Sequence, residues 1–126
     1  MSLAEKITDA ELEIMKILWR EREPVDYTSI RIELQELKGW EKTTISTLLK
    51  RLADKGVINI EKRKVMYYAP NITEAEYVQS QEQAMIDKLY GGSAKSLVAS
   101  LFQKGKLTET DIDELREYFN IGGEGT

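Results

Sequence analysis

Hydroxyl and basic side chains share one side of a predicted helix in the segment TTISTLLKRLADKG, residues 43–56. At about 100° per residue, the aliphatic side chains of this segment fall on the opposite side. These aliphatic residues are Ile45, Leu48, Leu49 and Leu52. Thr and Ser side chains are short enough to let a helix approach the edges of nucleic-acid bases, and neighbouring Lys and Arg can reach phosphates. The pattern therefore favours contact with a polynucleotide.

The charge distribution along the chain supports a site for a polyanion. The whole chain has a net charge of −4. Residues 38–64 nevertheless hold eight Lys or Arg and three Asp or Glu, a net charge of +5, whereas residues 1–37 carry −4 and residues 65–126 carry −5. A basic island in an acidic chain is expected where a polyanion binds. The alternative is a charged face that contacts only water.

The composition argues against most enzymatic and metal chemistry. The chain contains no Cys and no His, which removes disulfides, thiolate and imidazole metal ligands, Cys nucleophiles and His-based triads. Its 22 carboxylates are scattered, so we predict no catalytic residue, no metal site and no cofactor. No apolar run approaches the roughly 18 residues that span a bilayer, and residues 1–6 lack the features of a signal peptide. We therefore expect a cytoplasmic protein without membrane insertion.

The segment 43–56 belongs to the third of three predicted helices. The residues Thr8 to Glu11 fit a capping box that opens a helix ending near Arg20. A second helix is predicted over residues 27–37, capped by Asp26, and a third begins near Lys42 after a break that contains Gly39. The predicted buried stripe of the second helix consists of Ile30, Leu34 and Leu37. This is a helix, turn, helix arrangement.

A β-hairpin with a basic tip is predicted after the third helix. Residues 57–60 and 64–68 are rich in β-branched and aromatic side chains, and Glu61-Lys62-Arg63 joins them. The basic side chains near the tip either reach phosphates or simply contact water. Three helices followed by a hairpin is the order of a winged helix-turn-helix. The predicted fold class is therefore mainly α with a small β-hairpin, with residues 1–70 forming the winged helix-turn-helix domain.

Residues 71–126 are predicted to form a helical dimerisation domain. Capping patterns at residues 73–76, at Ser93 and at residues 108–111 start three amphipathic helices. About 50 residues are few for a lone core, so their apolar stripes are expected to meet a second copy of the chain. The alternative is a monomer in which these stripes pack on the first helix. The predicted dimerisation residues are Tyr77, Met85, Ile86, Leu89, Leu97, Val98, Leu101, Phe102, Ile112, Leu115, Tyr118 and Phe119.

Short stretches spread over residues 7–120 carry a family resemblance. They are ITDAELEIMKILW at residues 7–19, Trp40 ahead of Thr44-Ile45 and Thr47-Leu48, then Arg51-Leu52, Lys55-Gly56, Tyr67-Tyr68, KLYGG at residues 88–92 and Ser96-Leu97-Val98. Their order and spacing resemble the penicillinase repressor family (BlaI/MecI, with the copper-responsive CopY repressors as a branch). The resemblance implies a transcriptional repressor in which an N-terminal winged helix binds a palindromic operator in double-stranded DNA. The C-terminal helices would hold the homodimer together.

The same resemblance implies which residues contact DNA. With Lys42 at the helix start included, the predicted DNA-binding residues are Trp40, Lys42, Thr43, Thr44, Ser46, Thr47, Lys50, Arg51, Lys62, Arg63 and Lys64. Ser46 departs from the family, in which Arg often stands at this position and can grip guanine in bidentate fashion. The resemblance therefore implies the role but not the operator sequence.

Regulation is a second departure from the family. In the antibiotic-resistance members, a membrane sensor triggers cleavage of an Asn-Phe bond, and the aligned bond here is Ser100-Leu101, which weakens the expectation of a regulatory protease. The cysteine cluster of the copper branch has no counterpart, because the chain has no Cys.

A rival interpretation is a winged-helix adaptor that binds a protein instead of DNA. The low isoelectric point, about 5.0, favours it, because simple nucleic-acid binders tend to be basic.

Overall fold

The computed structural model describes residues 4–123, and for residue 5 and residues 120–123 it describes the backbone alone. Within that range, a 3-10 turn at Ala4–Lys6 precedes six α-helices and three β-strands. They are α1 (Asp9–Arg20), β1 (Val25–Asp26), α2 (Tyr27–Lys38), α3 (Lys42–Asp54), β2 (Ile58–Lys62), β3 (Met66–Pro70), α4 (Glu74–Tyr90), α5 (Ala94–Gln103) and α6 (Glu109–Gly123). The predicted fold class, mainly α with a small β-hairpin, is confirmed.

Reciprocal side-chain caps start three of the helices. At α1, the Thr8 hydroxyl accepts from the backbone N–H of Glu11 at 3.2 Å, and the Glu11 carboxylate accepts from the N–H of Thr8 at 3.0 Å. The same pattern occurs at residues 73–76 before α4 and at residues 108–111 before α6. These bonds satisfy backbone donors that have no partner inside the helix. The predicted capping boxes are therefore present.

The sheet has one strand more than the predicted hairpin. It is antiparallel with the order β1-β3-β2, and β1 contributes only Val25, opposite Tyr68, and Asp26, opposite Tyr67. A strand of two residues leaves no alternation to detect in the sequence. The hairpin also extends further than predicted, since Lys62 pairs with Met66 and the turn lies at residues 63–65 rather than at residues 61–63. The polar end of β2 can continue the ladder because its side chains are exposed there.

One hydrophobic core joins α1, α2, α3 and the sheet. Its buried members are Ile7, Ile14, Met15, Ile17, Leu18, Val25, Ile30, Leu34, Ile45, Leu48, Leu49, Leu52, Val57, Ile58 and Tyr68. The prediction that Leu37 completes the buried stripe of α2 is wrong, because its side chain is 69% exposed. Leu37 lies in the last turn of α2, so the buried stripe ends one turn before the helix does.

The chain divides into two compact units, residues 1–81 and residues 82–126. The sequence predicted a boundary after residue 70, but the first unit also includes the start of α4. There the Tyr77 ring packs on Trp19 with 5.5 Å between the ring centroids, and the Trp19 indole N–H donates to the carbonyl oxygen of Ile72 at 2.9 Å. These contacts join Trp19 at the end of α1 to the segment that begins α4.

Candidate nucleic-acid interface

Helix α3 buries its aliphatic side and exposes its polar side. Ile45, Leu48, Leu49 and Leu52 are each no more than 6% exposed. The exposed residues of the opposite side are Lys42, Thr43, Thr44, Ser46, Thr47, Lys50 and Arg51. Four of them, together with Leu48, line a shallow recess of about 240 Å³ on one flank of the helix. The hydroxyl and basic side chains of α3 therefore form one continuous face that is open to solvent.

The turn between α2 and α3 directs the start of α3 toward solvent. Gly39 ends α2 in the left-handed conformation, with φ of 67°, and its N–H donates to the Gln35 carbonyl oxygen at 3.0 Å. Trp40 is half-buried and packs against the core. Glu41 caps α3 without a side-chain hydrogen bond, so the first backbone N–H groups of α3 have no side-chain acceptor at the cap. Such N–H groups and the helix dipole favour an anion at this end.

A tyrosine from α2 reaches the polar face of α3. The Tyr27 hydroxyl lies 3.1 Å from the Ser46 hydroxyl, within hydrogen-bond distance. The sequence pattern predicts Tyr27 at the start of the second helix and gives it no part in the site. The two residues are 19 positions apart, and no periodic pattern connects them.

Ion pairs reduce the number of cations that the basic segment offers. Lys55 donates to both carboxylate oxygens of Glu11, at 2.7 and 2.9 Å, and to the Lys6 carbonyl oxygen at 2.7 Å. Because Glu11 is only 1% exposed, this pair belongs to the interior and not to the interface. Lys50 lies 3.3 Å from Asp54, but both side chains are exposed and water screens their attraction.

The hairpin beyond α3 carries a second group of cations. Lys62, Arg63 and Lys64 are all exposed. Arg63 donates to Glu61 at 2.9 Å, which raises the pKa of the guanidinium, and it also lies 4.3 Å from the centre of the Tyr67 ring. Among the described residues, no salt bridge involves Lys62 or Lys64. The predicted basic wing is present, with its turn two residues further along than expected.

The predicted dimerisation residues lie on α4, α5 and α6, helices in which no described side chain is buried, and Tyr77 is half-buried against the hydrophobic core. In α4 and in the described side chains of residues 82–119, every residue is exposed or half-buried. The exposed predicted dimerisation residues are Met85, Leu89, Val98, Phe102, Leu115, Tyr118 and Phe119. Ile86, Leu97, Leu101 and Ile112 are half-buried. Several of these side chains border an apolar depression of about 800 Å³ between α5 and α6, lined among others by Val98, Phe102 and Ile112.

The described residues form neither a metal site nor a membrane-spanning helix. Among the side chains that the structure describes, no three Asp or Glu come together as ligands of a metal ion. No helix in this range has the length and apolar character needed to cross a bilayer.

The fold and the exposed face of α3 define a winged helix-turn-helix protein. Three helices, a wing and an outward-facing third helix are the features of that class. Comparison with known proteins is consistent with this class. A solution structure of the DNA-binding domain of the repressor BlaI matches with a TM-score of 0.54 and 38% identity, covering 61% of this chain and 94% of that one. The Bacillus licheniformis BlaI monomer, solved in complex with the blaP half-operator, matches with a TM-score of 0.51 and 40% identity, covering 57% and 88%.

Sequence comparison identifies the family. The family model described as "Penicillinase repressor" matches residues 7–120. The penicillinase repressor of Bacillus licheniformis is 33% identical over 111 residues, which are 87% of this chain and 86% of that protein. The chain belongs to the penicillinase repressor family, and the predicted resemblance is confirmed.

Proposed function

We propose that this protein is a DNA-binding transcriptional repressor that acts in the cytoplasm as a homodimer on a palindromic operator. The proposal rests on α3, which exposes hydroxyl and basic side chains on one side and buries its aliphatic side chains on the other. The chain belongs to a repressor family, and the BlaI monomer, 40% identical, has been solved with a half-operator.

In this mechanism, α3 enters the major groove and the wing reaches the backbone. Thr43, Ser46 and Thr47 are short enough to meet base edges, while Lys50 and Arg51 neutralise phosphates beside them. The backbone N–H groups at the start of α3 donate hydrogen bonds to a further phosphate. Lys62 and Lys64 supply the contacts from the wing.

Dimerisation supports the repressor role because one half-site binds weakly. Two α3 helices related by a two-fold axis would read half-sites about 34 Å apart, one turn of DNA. Once one half binds, the second binds at a high effective concentration. The exposed apolar side chains of α4, α5 and α6 supply the surface for the second copy. The bound dimer would then exclude the polymerase from the promoter.

Release of the operator by proteolysis would require a change in α5. The bond Ser100-Leu101 lies inside this helix, and both residues are half-buried. A protease acts on an extended strand, so cleavage there would follow local unfolding of α5.

Charge reversal on α3 tests the DNA-binding role. The double variant Lys50→Glu with Arg51→Glu should lose at least about a hundredfold in affinity for a DNA site selected by the wild-type protein, because every protomer then repels two phosphates. Gel shift measures the affinity, and circular dichroism checks that both proteins are folded. A matched control, Lys104→Glu with Lys106→Glu, makes the same charge change on exposed residues outside the site and should retain the DNA.

The salt dependence of binding separates the repressor from the adaptor. Binding to DNA should weaken linearly on a log-log plot of affinity against salt, with a slope near −0.9 for each phosphate neutralised. Retention that is unchanged by the α3 charge reversal, or a slope near zero, would overturn the proposed function.

A further inference from the structure

Tyr27 lies beside the exposed polar face of α3. Within residues 4–123, its hydroxyl is the only side-chain group from another element that hydrogen-bonds to the polar face of α3. Its partner, Ser46, lies between Thr43 one turn before and Lys50 one turn after, so the contact falls at the middle of this face.

The position of the Tyr27 side chain is fixed from three directions. Directly before it, Val25 and Asp26 pair with β3, which fixes the backbone at the helix start. Asp26 caps α2 by accepting from the Ser29 N–H at 3.0 Å and from the Ser29 hydroxyl at 2.7 Å. The Tyr27 ring itself packs against the hydrophobic core. The phenol oxygen is therefore a rigid point to which the small Ser46 side chain is tied.

The two hydroxyls together form a defined hydrogen-bonding group. A lone serine hydroxyl rotates among its rotamers and offers a donor in several directions. In the pair, either hydroxyl can donate to the other, and in both arrangements one proton and free lone pairs remain for a partner. A donor and an acceptor held a fixed distance apart can discriminate between base edges, whereas a freely rotating hydroxyl accepts many of them.

We propose that Tyr27 is a specificity-determining residue, which positions Ser46 so that the two hydroxyls together read one base pair in each half-site. This inference rests on the proposed function. It assigns to α2 a part in readout, beyond its role of supporting α3. Tyr27 acts together with Ser46, so its effect belongs to one base position and not to the affinity for DNA in general.

The test compares base preference among four full-length proteins. Wild type, Tyr27→Phe, Ser46→Ala and the double variant are each measured by gel shift against the site that wild type selects from random DNA, with all four base pairs tried at each position. Both single variants should reduce the preference at one shared base pair by roughly three- to tenfold, the effect of a single hydrogen bond. The double variant should reduce it no further, since either change already breaks the pair.

Controls separate this inference from stability and from the proposed function. Tyr90→Phe removes a phenol hydroxyl in the second unit and should leave the base profile unchanged. Thermal unfolding should give similar midpoints for Tyr27→Phe and wild type, because the half-buried ring and its packing against the core are kept. If wild type selects a site and Tyr27→Phe keeps the full base profile, or if the two single effects add, the inference on Tyr27 is overturned and the proposed function stands. If wild type selects no sequence, both fall.

Discussion

Glu11 performs two structural tasks with one carboxylate. It accepts from the Thr8 N–H as part of the capping box of α1, and it is held by Lys55 from the end of α3. A carboxylate that is 1% exposed needs such partners, because a buried charge without them is costly. The pair therefore ties the start of α1 to the end of α3, the helix that carries the candidate interface.

Removal of the cation from this pair should be strongly destabilising. Lys55→Met leaves the Glu11 carboxylate buried without its partner, so the free energy of unfolding should fall by about 3 kcal/mol. Lys50→Met makes the same substitution in α3, in an ion pair whose two side chains are exposed, and should cost less than about 0.5 kcal/mol. Urea unfolding at pH 7 measures both. Equal losses would show that Lys55 contributes no more than a surface cation.

The cap of α2 predicts a pH dependence of stability. Hydrogen bonds from the Ser29 hydroxyl and the Ser29 N–H lower the pKa of Asp26 below its ordinary value of 3.8. Because the pKa is lower in the folded state, the ionised cap stabilises the fold above the unfolded pKa, and this contribution is lost as the pH falls through the folded pKa. Asp26→Ala should therefore cost about 1 kcal/mol at pH 7 and clearly less at pH 2.5.

Urea unfolding of wild type and Asp26→Ala at both pH values measures this difference in the free energy of unfolding. Asp26→Asn is the control, because its amide oxygen can still accept from the backbone but does not titrate. A gap of the same size at pH 7 and pH 2.5 would contradict a role for the ionised carboxylate.

At the scale of residues, local patterns predict helix caps and exposed faces, whereas contacts between distant residues escape prediction. The cap at Asp26 and the exposed face from Thr43 to Arg51 follow from spacing within one helix, which a sequence displays directly. The Glu11 to Lys55 pair and the Tyr27 to Ser46 contact join residues 44 and 19 positions apart. Only the packing of α1 and α2 against α3 brings them together. A count of charges along the chain therefore overestimates the cations that DNA can meet.

At the scale of elements, the turn between α2 and α3 fixes the direction of α3. Gly39 adopts φ of +67°, and no atom lies within 4 Å of the position that a Cβ would occupy. The need for glycine here is thus conformational and not steric. Gly39→Ala should lower the free energy of unfolding by about 1 kcal/mol, from the strain of a left-handed alanine alone.

A second substitution separates backbone strain from other causes. Gly39→Asn should cost less than Gly39→Ala, although its side chain is larger, because asparagine tolerates the left-handed conformation. Both are measured by urea unfolding. A larger loss for asparagine would mean that space at the turn, and not φ, determines the cost.

The elements differ in how well the sequence revealed them. The helices carry their own boundaries in their caps, and their starts were predicted closely at α1, α2 and α4. The short strand β1 depends on a partner 40 or more residues away, since Asp26 pairs with Tyr67 and Val25 with Tyr68. The turn of the wing was also misplaced, because the register of β2 against β3 is set by pairing across the strands and not by the tip residues.

At the scale of the whole molecule, the two units bury their apolar residues to different extents. The hydrophobic core lies entirely within residues 1–81, whereas no described side chain of residues 82–119 is buried. Monomeric proteins seldom leave so many large apolar side chains exposed together. The shortness of the segment predicts that its apolar residues are incompletely buried. The packing of α5 and α6 determines which of them remain exposed.

A charge placed in the apolar depression of the second unit should separate the proposed dimer. Phe102 is 45% exposed and lines this depression, so Phe102→Glu would bury a carboxylate in each protomer on association. Sedimentation should show the dimer dissociation constant raised at least about a hundredfold, and affinity for a palindromic site should fall toward that of a half-site. Lys104→Glu, two residues further on and exposed, is the control and should leave both values near wild type. A Phe102→Glu protein that sediments as a dimer, or a wild type that sediments as a monomer at every concentration, would remove this surface from the proposed mechanism.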